Sequence, residues 1–505
     1  MESNPKNFVA ELSAEEQVIR RFRQRNISPD DGRYAKSSDA LRKYLSAEAH
    51  WLACAEVQKV LLETRVEFGR AEQKHLDEVV SALGKIDPLN MELIEQKITK
   101  HDQLAVIEEM GNYVSEETKA LLHPGTTSYD VVDTARAYLF KNAWFEVMRP
   151  EICTFIESIF AHGVLWLDLL QVGRTHLQYT SPVPLGTTFA SYAARLAERV
   201  EKCDTVFSDL RGKVSGIVGT GASVEMVIGK GKSREFELRV LEKLGLKPDL
   251  TATQITQKER LADVGQGLVT LMHVLGDFAN DMRMLYSSDI AEVTSRADEE
   301  RLGGSSADAG KNNPIHWENI CGKVAVVESG MQVLYEMIHS DFQRDLRSSV
   351  QGRYQPQQMM TEVYESFSRA IGALGELKIK KEKVAEHLQK VRNFPSEALV
   401  ALTRKYGWSH PEYGVGHEAV KELSKKAKAE KMTLLGAIAM DTPFWNFYKG
   451  LPENEQRIVR GELELYLGSS RDDAKKNFRY AMEVAQKYLK GEVQVGINIL
   501  EGIKV

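Results

Sequence analysis

Residues 261–286, LADVGQGLVTLMHVLGDFANDMRMLY, decide the class of fold. Their apolar positions Leu261, Val264, Leu268, Leu271, Leu275, Phe278, Met282 and Leu285 recur at steps of three and four, which lines them along one side of a helix. Two other segments, from about 130 to 166 and from about 317 to 342, are also long and poor in proline. Each runs well beyond the roughly 11 residues of an average helix. Long helices without alternating strand patterns predict an all-α chain built around a helix bundle rather than a parallel sheet.

The rest of the composition narrows the classes of function. With 505 residues, 43% of them hydrophobic, the chain can bury a large core. Its 66 basic and 72 acidic residues leave a formal charge of -6, with no run of one sign long enough to track nucleic acid. The first residues, MESNPKNFVAELSAEEQ, lack the basic start and apolar run of a leader, and no stretch of about 18 apolar residues offers a membrane span. A soluble, cytoplasmic protein without nucleic-acid or membrane partners is expected. Cys54, Cys153, Cys203 and Cys321 lie far apart and read as reduced thiols, and the 12 histidines show no HExxH spacing, so no metal site is predicted.

Three short polar stretches separate the helical segments: HPGTTSYD at 123–130, GRTHLQYTSP at 173–182 and GGSSADAGKNNP at 303–314. Loops of this kind let a rigid scaffold present residues from distant parts of the chain to one site. A fourth, GKVSGIVGTGAS at 212–223, fits neither the P-loop nor the GxGxxG spacing; its β-branched residues between glycines predict a short hairpin with no cofactor role. Past residues 375–385 the helices shorten and lysine increases. The expected domains are therefore 1–125, 126–379 and 380–505.

The loops carry acids, bases and anion-binding groups: His101 and Asp102 in ITKHDQLAV, His123, Thr127 and Ser128, His176, and Ser305, Ser306, Lys311 and Asn313. Taken singly, each has a plain structural role. A loop histidine serves as a cap, and Thr127, Ser128 or Asp130 starts the following helix by accepting its unpaired amide protons. Lys311 reads equally as a solvated charge. In HSDFQRDLRSSVQGR, Arg344, Ser349 and Arg353 combine two guanidinium groups with a hydroxyl, a set suited to phosphate or carboxylate and equally to a salt-bridged helix end. Arg33 and Tyr34 in SPDDGRYAKSSD form a similar pair, as does an ordinary turn.

Taken together, GRYA, KHD, HPGTTSYDVVDTA, GRTH, TQITQKER, GSSADAGKNNP and RDLRSSVQGR resemble, in order and separation, the fumarase and aspartase superfamily of lyases. The resemblance runs from about residue 28 to 353 and is closest to the branch acting on succinyl-purine nucleotides. It implies an all-α, three-domain subunit whose central long helices join a homotetramer core with shared active sites. It also implies cofactor-free anti elimination of fumarate from a carbon–nitrogen bond, converting adenylosuccinate to AMP and the succinyl-carboxamide imidazole ribotide to the carboxamide ribotide.

By the same resemblance Ser305 is the base that removes the carbon-bound proton, and His176 the acid that protonates the leaving nitrogen. His101, preceded by Lys100 and followed by Asp102, is a second active-site histidine, and His123 a third. Lys311 and Asn313 contact the substrate carboxylate, while Thr127, Ser128 and Gln257 hold the succinyl part. Arg33, Tyr34, Arg344, Ser349 and Arg353 hold the nucleotide, chiefly its phosphate. The chain departs from the pattern where Asp308 and Ala309 replace the loop's usual Met-Pro, where Lys100 replaces an arginine, and at Asn319, an arginine in some relatives. Loss of proline frees φ, and Asp308 adds a negative charge beside a dicarboxylate site. Another N-substituted succinate, such as argininosuccinate, and a non-catalytic scaffold are the alternative readings.

Overall fold

A computed structural model describes residues 7–28, 31–296, 308, 311–393 and 395–489. Within them the chain is helical, with four two-stranded pairings as its sheet structure. The helix Glu259–Tyr286 spans the stretch that set the fold class, and seven of its eight periodic residues are buried; Leu261 is half-buried. The segment expected from about 130 is the helix Ser128–Ala143, one π-turn Trp144–Met148 and the helix Arg149–Leu165. The third long segment is Ile315–Glu336 and ends earlier than expected. Beyond it Asp345 draws the backbone out of the helix, accepting from the amides of Asp341 at 3.0 Å and Arg347 at 2.7 Å.

The chain divides into two compact units. One comprises Met1–Ile152, Arg199–Gly276 and Ile320–Arg369, the other Cys153–Glu198, Asp277–Asn319 and Ala370–Val505. Five helices contribute residues to both: Arg149–Leu165, Leu185–Ser208, Glu259–Tyr286, Ile315–Glu336 and Gln355–Gly375.

In the first unit the helix Ala47–Glu67 packs against Ser128–Ala143, and Trp144 stacks on Phe207 at 4.8 Å while its indole N–H donates to Asp204 at 2.7 Å. Gly265 lets its helix lie close to Ile315–Glu336, because a Cβ there would enter Leu334 and Met331. The segment GKVSGIVGTGAS is not the expected hairpin. Arg211–Gly212 pairs in parallel with Lys247–Pro248, and the glycines beyond turn the chain with positive φ at Gly216, Gly219 and Gly221. What shapes it is a distant carboxylate. Buried Lys213 pairs with buried Asp130, whose carboxylate also accepts from the amides of Ser215 at 2.9 Å and Gly216 at 3.1 Å.

In the second unit Phe278 is met edge-on by Phe155, Phe189, Tyr192 and Trp317 at 5.2–5.7 Å between ring centres. The stretch GRTHLQYTSP, read as a loop, belongs to an antiparallel hairpin of Leu170–Thr175 with Gln178–Pro184. Its inner residues Leu170 and Val172 are buried while its tip, the apolar Leu177 included, is exposed, so only a fragment of the alternation is visible in sequence. A second pair joins Val293–Ser295 to Leu377–Ile379. From Lys381 onward short helices surround a core that includes Leu423, Ile438 and Phe444.

Candidate functional site

The first unit gathers most of the residues singled out from sequence. The π-turn Glu95–Thr99 ends at Lys100, whose φ of 53° turns the chain sharply into His101, the N-cap of the helix Asp102–Gly111. Residues held in the left-handed region without glycine cost about 1 kcal/mol or more, and such strain concentrates at functional sites. His101 projects half-exposed: its Nε2 lies 3.0 Å from the Ser128 hydroxyl and its Nδ1 3.4 Å from Asp102. The Lys100 ammonium donates to the Gln96 carbonyl.

Ser128 opens its helix, and Thr127 precedes it as N-cap. The Thr127 amide donates at 2.7 Å to Asp130, the carboxylate that also holds Lys213. Asp130 is therefore a buried anchor and more than a helix start: it ties the N-terminus bearing Thr127 and Ser128 to the glycine-rich segment. Buried Arg65 fixes the preceding turn by donating to the carbonyls of Leu121 and Pro124, both at 2.9 Å. Within that turn His123 has φ 68°, with its Nδ1 2.9 Å from the Gln58 amide nitrogen and 3.0 Å from the Thr126 hydroxyl. Burial pushes the His123 pKa down to about 4, so the imidazole is neutral at neutral pH.

The arginine segment meets this helix start at the next residue, Tyr129. Tyr129 donates its hydroxyl proton to Ser349, and the Arg344 guanidinium lies 3.7 Å from the centre of the Tyr129 ring while donating to Gln254 at 3.0 Å. Tyr129 was overlooked in sequence, although it stands inside HPGTTSYD. Arg353 bears electrostatically on His50: with burial first and Arg136 second, it pushes the His50 pKa down to about 3. It also opposes the rise that burial, then Asp102, imposes on Glu95. Cys54, 3.7 Å from His50, is pushed up to about 12 by burial and is an inert thiol.

Gln257 turns back on its own loop, its side-chain amide donating to the Thr251 carbonyl at 2.7 Å and its backbone amide to Asp249 at 2.7 Å. It lines a small cavity with Asp133, Arg136, Lys258 and Gly352. Arg33 and Tyr34 fall on the helix Asp31–Leu45.

The second unit carries the remaining residues. His176 and Leu177 form the two-residue turn between paired Thr175 and Gln178, with φ of 53° and 59°. This geometry ordinarily selects Asn-Gly; here it displays an exposed imidazole at a hairpin tip. Lys311 is exposed and its amide donates to the carbonyl of the substituted Asp308 at 3.2 Å. Asn313 is half-buried, and its carbonyl accepts from Ile315 at 2.8 Å as the helix Ile315–Glu336 begins. Ser305 and Ser306 lie outside the described residues. Among those described, no three His, Cys, Asp or Glu residues converge to hold a metal ion, and no helix is long and apolar enough to cross a membrane.

The arrangement offers neutral and exposed imidazoles, hydroxyls at a helix N-terminus and guanidinium groups, a set for binding anions and moving protons. A protein from Archaeoglobus fulgidus named adenylosuccinate lyase is 25% identical over 461 residues, covering 91% of this chain and 99% of the relative. One of the same name from Methanocaldococcus jannaschii is 26% identical, covering 83% and 89%. Among solved structures, a fumarate lyase from Mesorhizobium sp. BNC1 superposes with a TM-score of 0.73 at 20% identity, covering 87% of this chain and 97% of that one. A 3-carboxy-cis,cis-muconate lactonizing enzyme from Pseudomonas putida gives 0.74 at 16%, covering 90% and 99%. The family model described as lyase matches residues 27–328. The chain belongs to this lyase family and is an enzyme of that class.

Proposed function

We propose that the chain releases fumarate from succinyl-purine nucleotides by anti elimination across a carbon–nitrogen bond, converting adenylosuccinate to AMP and the succinyl-carboxamide imidazole ribotide to the carboxamide ribotide in purine biosynthesis. The observation that carries this reading is the helix start at Thr127–Ser128. His101 meets it at Ser128, and the adjacent Tyr129 ties it to Ser349 and Arg344. Imidazole and hydroxyl suit a succinyl group; hydroxyl and guanidinium suit a phosphate.

A proton beside a carboxylate is a very weak acid, so the reaction needs a placed base and a means of holding the dianion that forms. Ser305 serves as base. Lys311 and Asn313 hold the carboxylate, and His176 delivers a proton to the departing nitrogen. His101, oriented by Asp102, and His123 complete the histidine set, with Lys100 beside them. Thr127, Ser128 and Gln257 bind the succinyl part, and Arg33, Tyr34, Arg344, Ser349 and Arg353 the nucleotide. The reaction uses no metal or cofactor. The subunit has three domains, 1–125, 126–379 and 380–505, and assembles in the cytoplasm as a homotetramer with shared sites.

Offering the purified chain adenylosuccinate, the succinyl-carboxamide ribotide and argininosuccinate separately, and following fumarate, tests the substrate class. Turnover of a purine substrate supports the reading; turnover of argininosuccinate alone overturns it in favour of another succinate, and turnover of none in favour of a non-catalytic relative.

A further inference from the structure

The hairpin that displays His176 is held from beneath by a buried charged set. Arg174, two residues before His176, donates through both terminal nitrogens to Glu292, at 3.2 and 2.6 Å. His387 Nδ1 lies 2.6 Å from the same carboxylate and 3.4 Å from the Arg174 guanidinium, and in its Nδ1–H tautomer it donates to Glu292. Glu292 is 1% exposed and His387 3%. The three residues come from separate elements. Arg174 stands on the hairpin strand, Glu292 immediately precedes the strand Val293–Ser295, and His387 lies on the helix Lys381–Arg392. The main chain repeats the connection, because the Lys380 amide donates to the Glu292 carbonyl at 2.8 Å.

Two local features aim Arg174 inward. The hairpin register shifts between Val172 and Arg174, where Thr180 and Ser181 of the returning strand oppose the single residue Gly173, and a bulge of this kind increases the local twist and re-aims the side chains around it. Gly173 occupies the shift, where a Cβ would lie 2.5 Å from the Ser181 carbonyl oxygen. The Arg174 guanidinium also lies 5.3 Å from the centre of the Tyr179 ring on the returning strand, so both strands are gripped. Burying such charges costs several kcal/mol per ion, and apolar residues of similar volume commonly hold a fold as well. Fixed geometry is what the charged set adds. The geometry that needs fixing is at the tip, where His176 and Leu177 occupy the left-handed region without glycine.

We propose that Arg174, Glu292 and His387 are positioning residues that fix the His176 turn for proton delivery. The proposal rests on the reading of His176 as the acid in the elimination. Glu292 also stands at the head of the strand Val293–Ser295, so one residue references the hairpin and that strand to the same helix.

The test uses the full chain with adenylosuccinate and a double-mutant cycle. His387→Phe should lower kcat about 30-fold with KM within about twofold, and His387→Gln, which keeps a donor for Glu292, should recover to within about threefold of the native rate. In a His176→Ala background, His387→Phe should lower the residual rate by less than about twofold, because its effect passes through the imidazole already removed. An equal loss in both backgrounds, or no loss in either, overturns the proposal. Amide hydrogen exchange supplies a readout independent of turnover. His387→Phe should speed exchange at residues 175–179 about tenfold while leaving 264–285 unchanged. Unchanged exchange at the hairpin overturns the clasp whatever the activity. If the native chain splits no succinyl-purine, or His176→Ala keeps the native rate, the catalytic reading fails, and the exchange result still decides whether the clasp fixes the turn.

Discussion

Asp130→Ala is the most informative structural perturbation, because one carboxylate joins the helix start of the candidate site to the glycine-rich segment. It accepts from Lys213, from the amide of Thr127 at 2.7 Å, and from those of Ser215 and Gly216 at 2.9 and 3.1 Å. Asp130 and Lys213 both have 0% exposed side chains. Removing one partner of a buried ion pair costs about 3–5 kcal/mol, since the other charge is left without compensation. The two removals are not equivalent. After Asp130→Ala the Lys213 ammonium keeps only the Gly216 carbonyl at 3.2 Å among its partners here, and three amides lose their acceptor. After Lys213→Met the carboxylate retains those three amide donors, and the thioether chain fills the volume of the lysine stem.

Asp130→Ala should therefore lie at the upper end, about 5 kcal/mol, and Lys213→Met at the lower, about 3 kcal/mol. At about 2 °C per kcal/mol for a unit of this size, Tm should fall by about 10 and about 6 °C. Urea unfolding followed by circular dichroism, alongside thermal melting, checks both values. Steady-state assays should show a higher KM for adenylosuccinate in Asp130→Ala, because the Thr127 amide and the Ser128 hydroxyl beside it lose their anchor. A Lys213→Met variant as destabilised as Asp130→Ala, or either variant melting with the native chain, refutes the reasoning.

Three further outcomes follow from the same geometry. His123, ordinarily near 6.5, is held down to about 4 by burial, so the unfolded chain takes up a proton there first as pH falls. The stability it contributes is complete above pH 6.5 and is lost as pH falls toward 4, by up to about 3 kcal/mol; an imidazole NMR titration with midpoint near 6 contradicts this. Tyr129→Phe removes the hydroxyl proton given to Ser349 but keeps the ring beneath Arg344, so KM should rise about fivefold with kcat unchanged in steady-state assays. Asp308→Met combined with Ala309→Pro should raise kcat/KM by removing a negative charge from the residue whose carbonyl accepts from the Lys311 amide; an unchanged or lower value in the same assay shows that this charge does not oppose substrate.

The parts of the molecule legible in sequence are those whose information is local. The helix Glu259–Tyr286 declared itself because its apolar spacing matches the helical repeat, and burial follows that spacing. His101 and Ser128, singled out separately, meet at 3.0 Å because each begins a helix and their residue types mark such starts. What escaped depends on partners far away in the chain. The glycine-rich segment looked like a hairpin because the residue that shapes it, Asp130, lies 83 positions before Lys213. Arg174, Glu292 and His387 are separated by 118 and 95 positions, and a single buried charge carries no mark of its burial in sequence. Tyr129 escaped for a different reason: an aromatic inside a polar motif reads as core until Ser349 and Arg344 are seen around it.

The most direct measurement is the stoichiometry of products from adenylosuccinate, with the native chain and Ser305→Ala run in parallel and both melted to establish that they are folded. The native chain should yield fumarate and AMP in equal amounts, and Ser305→Ala should lose at least about a thousandfold in rate at unchanged Tm. Equal rates for the two proteins remove Ser305 from the chemistry, and a folded native chain that forms neither product contradicts the account.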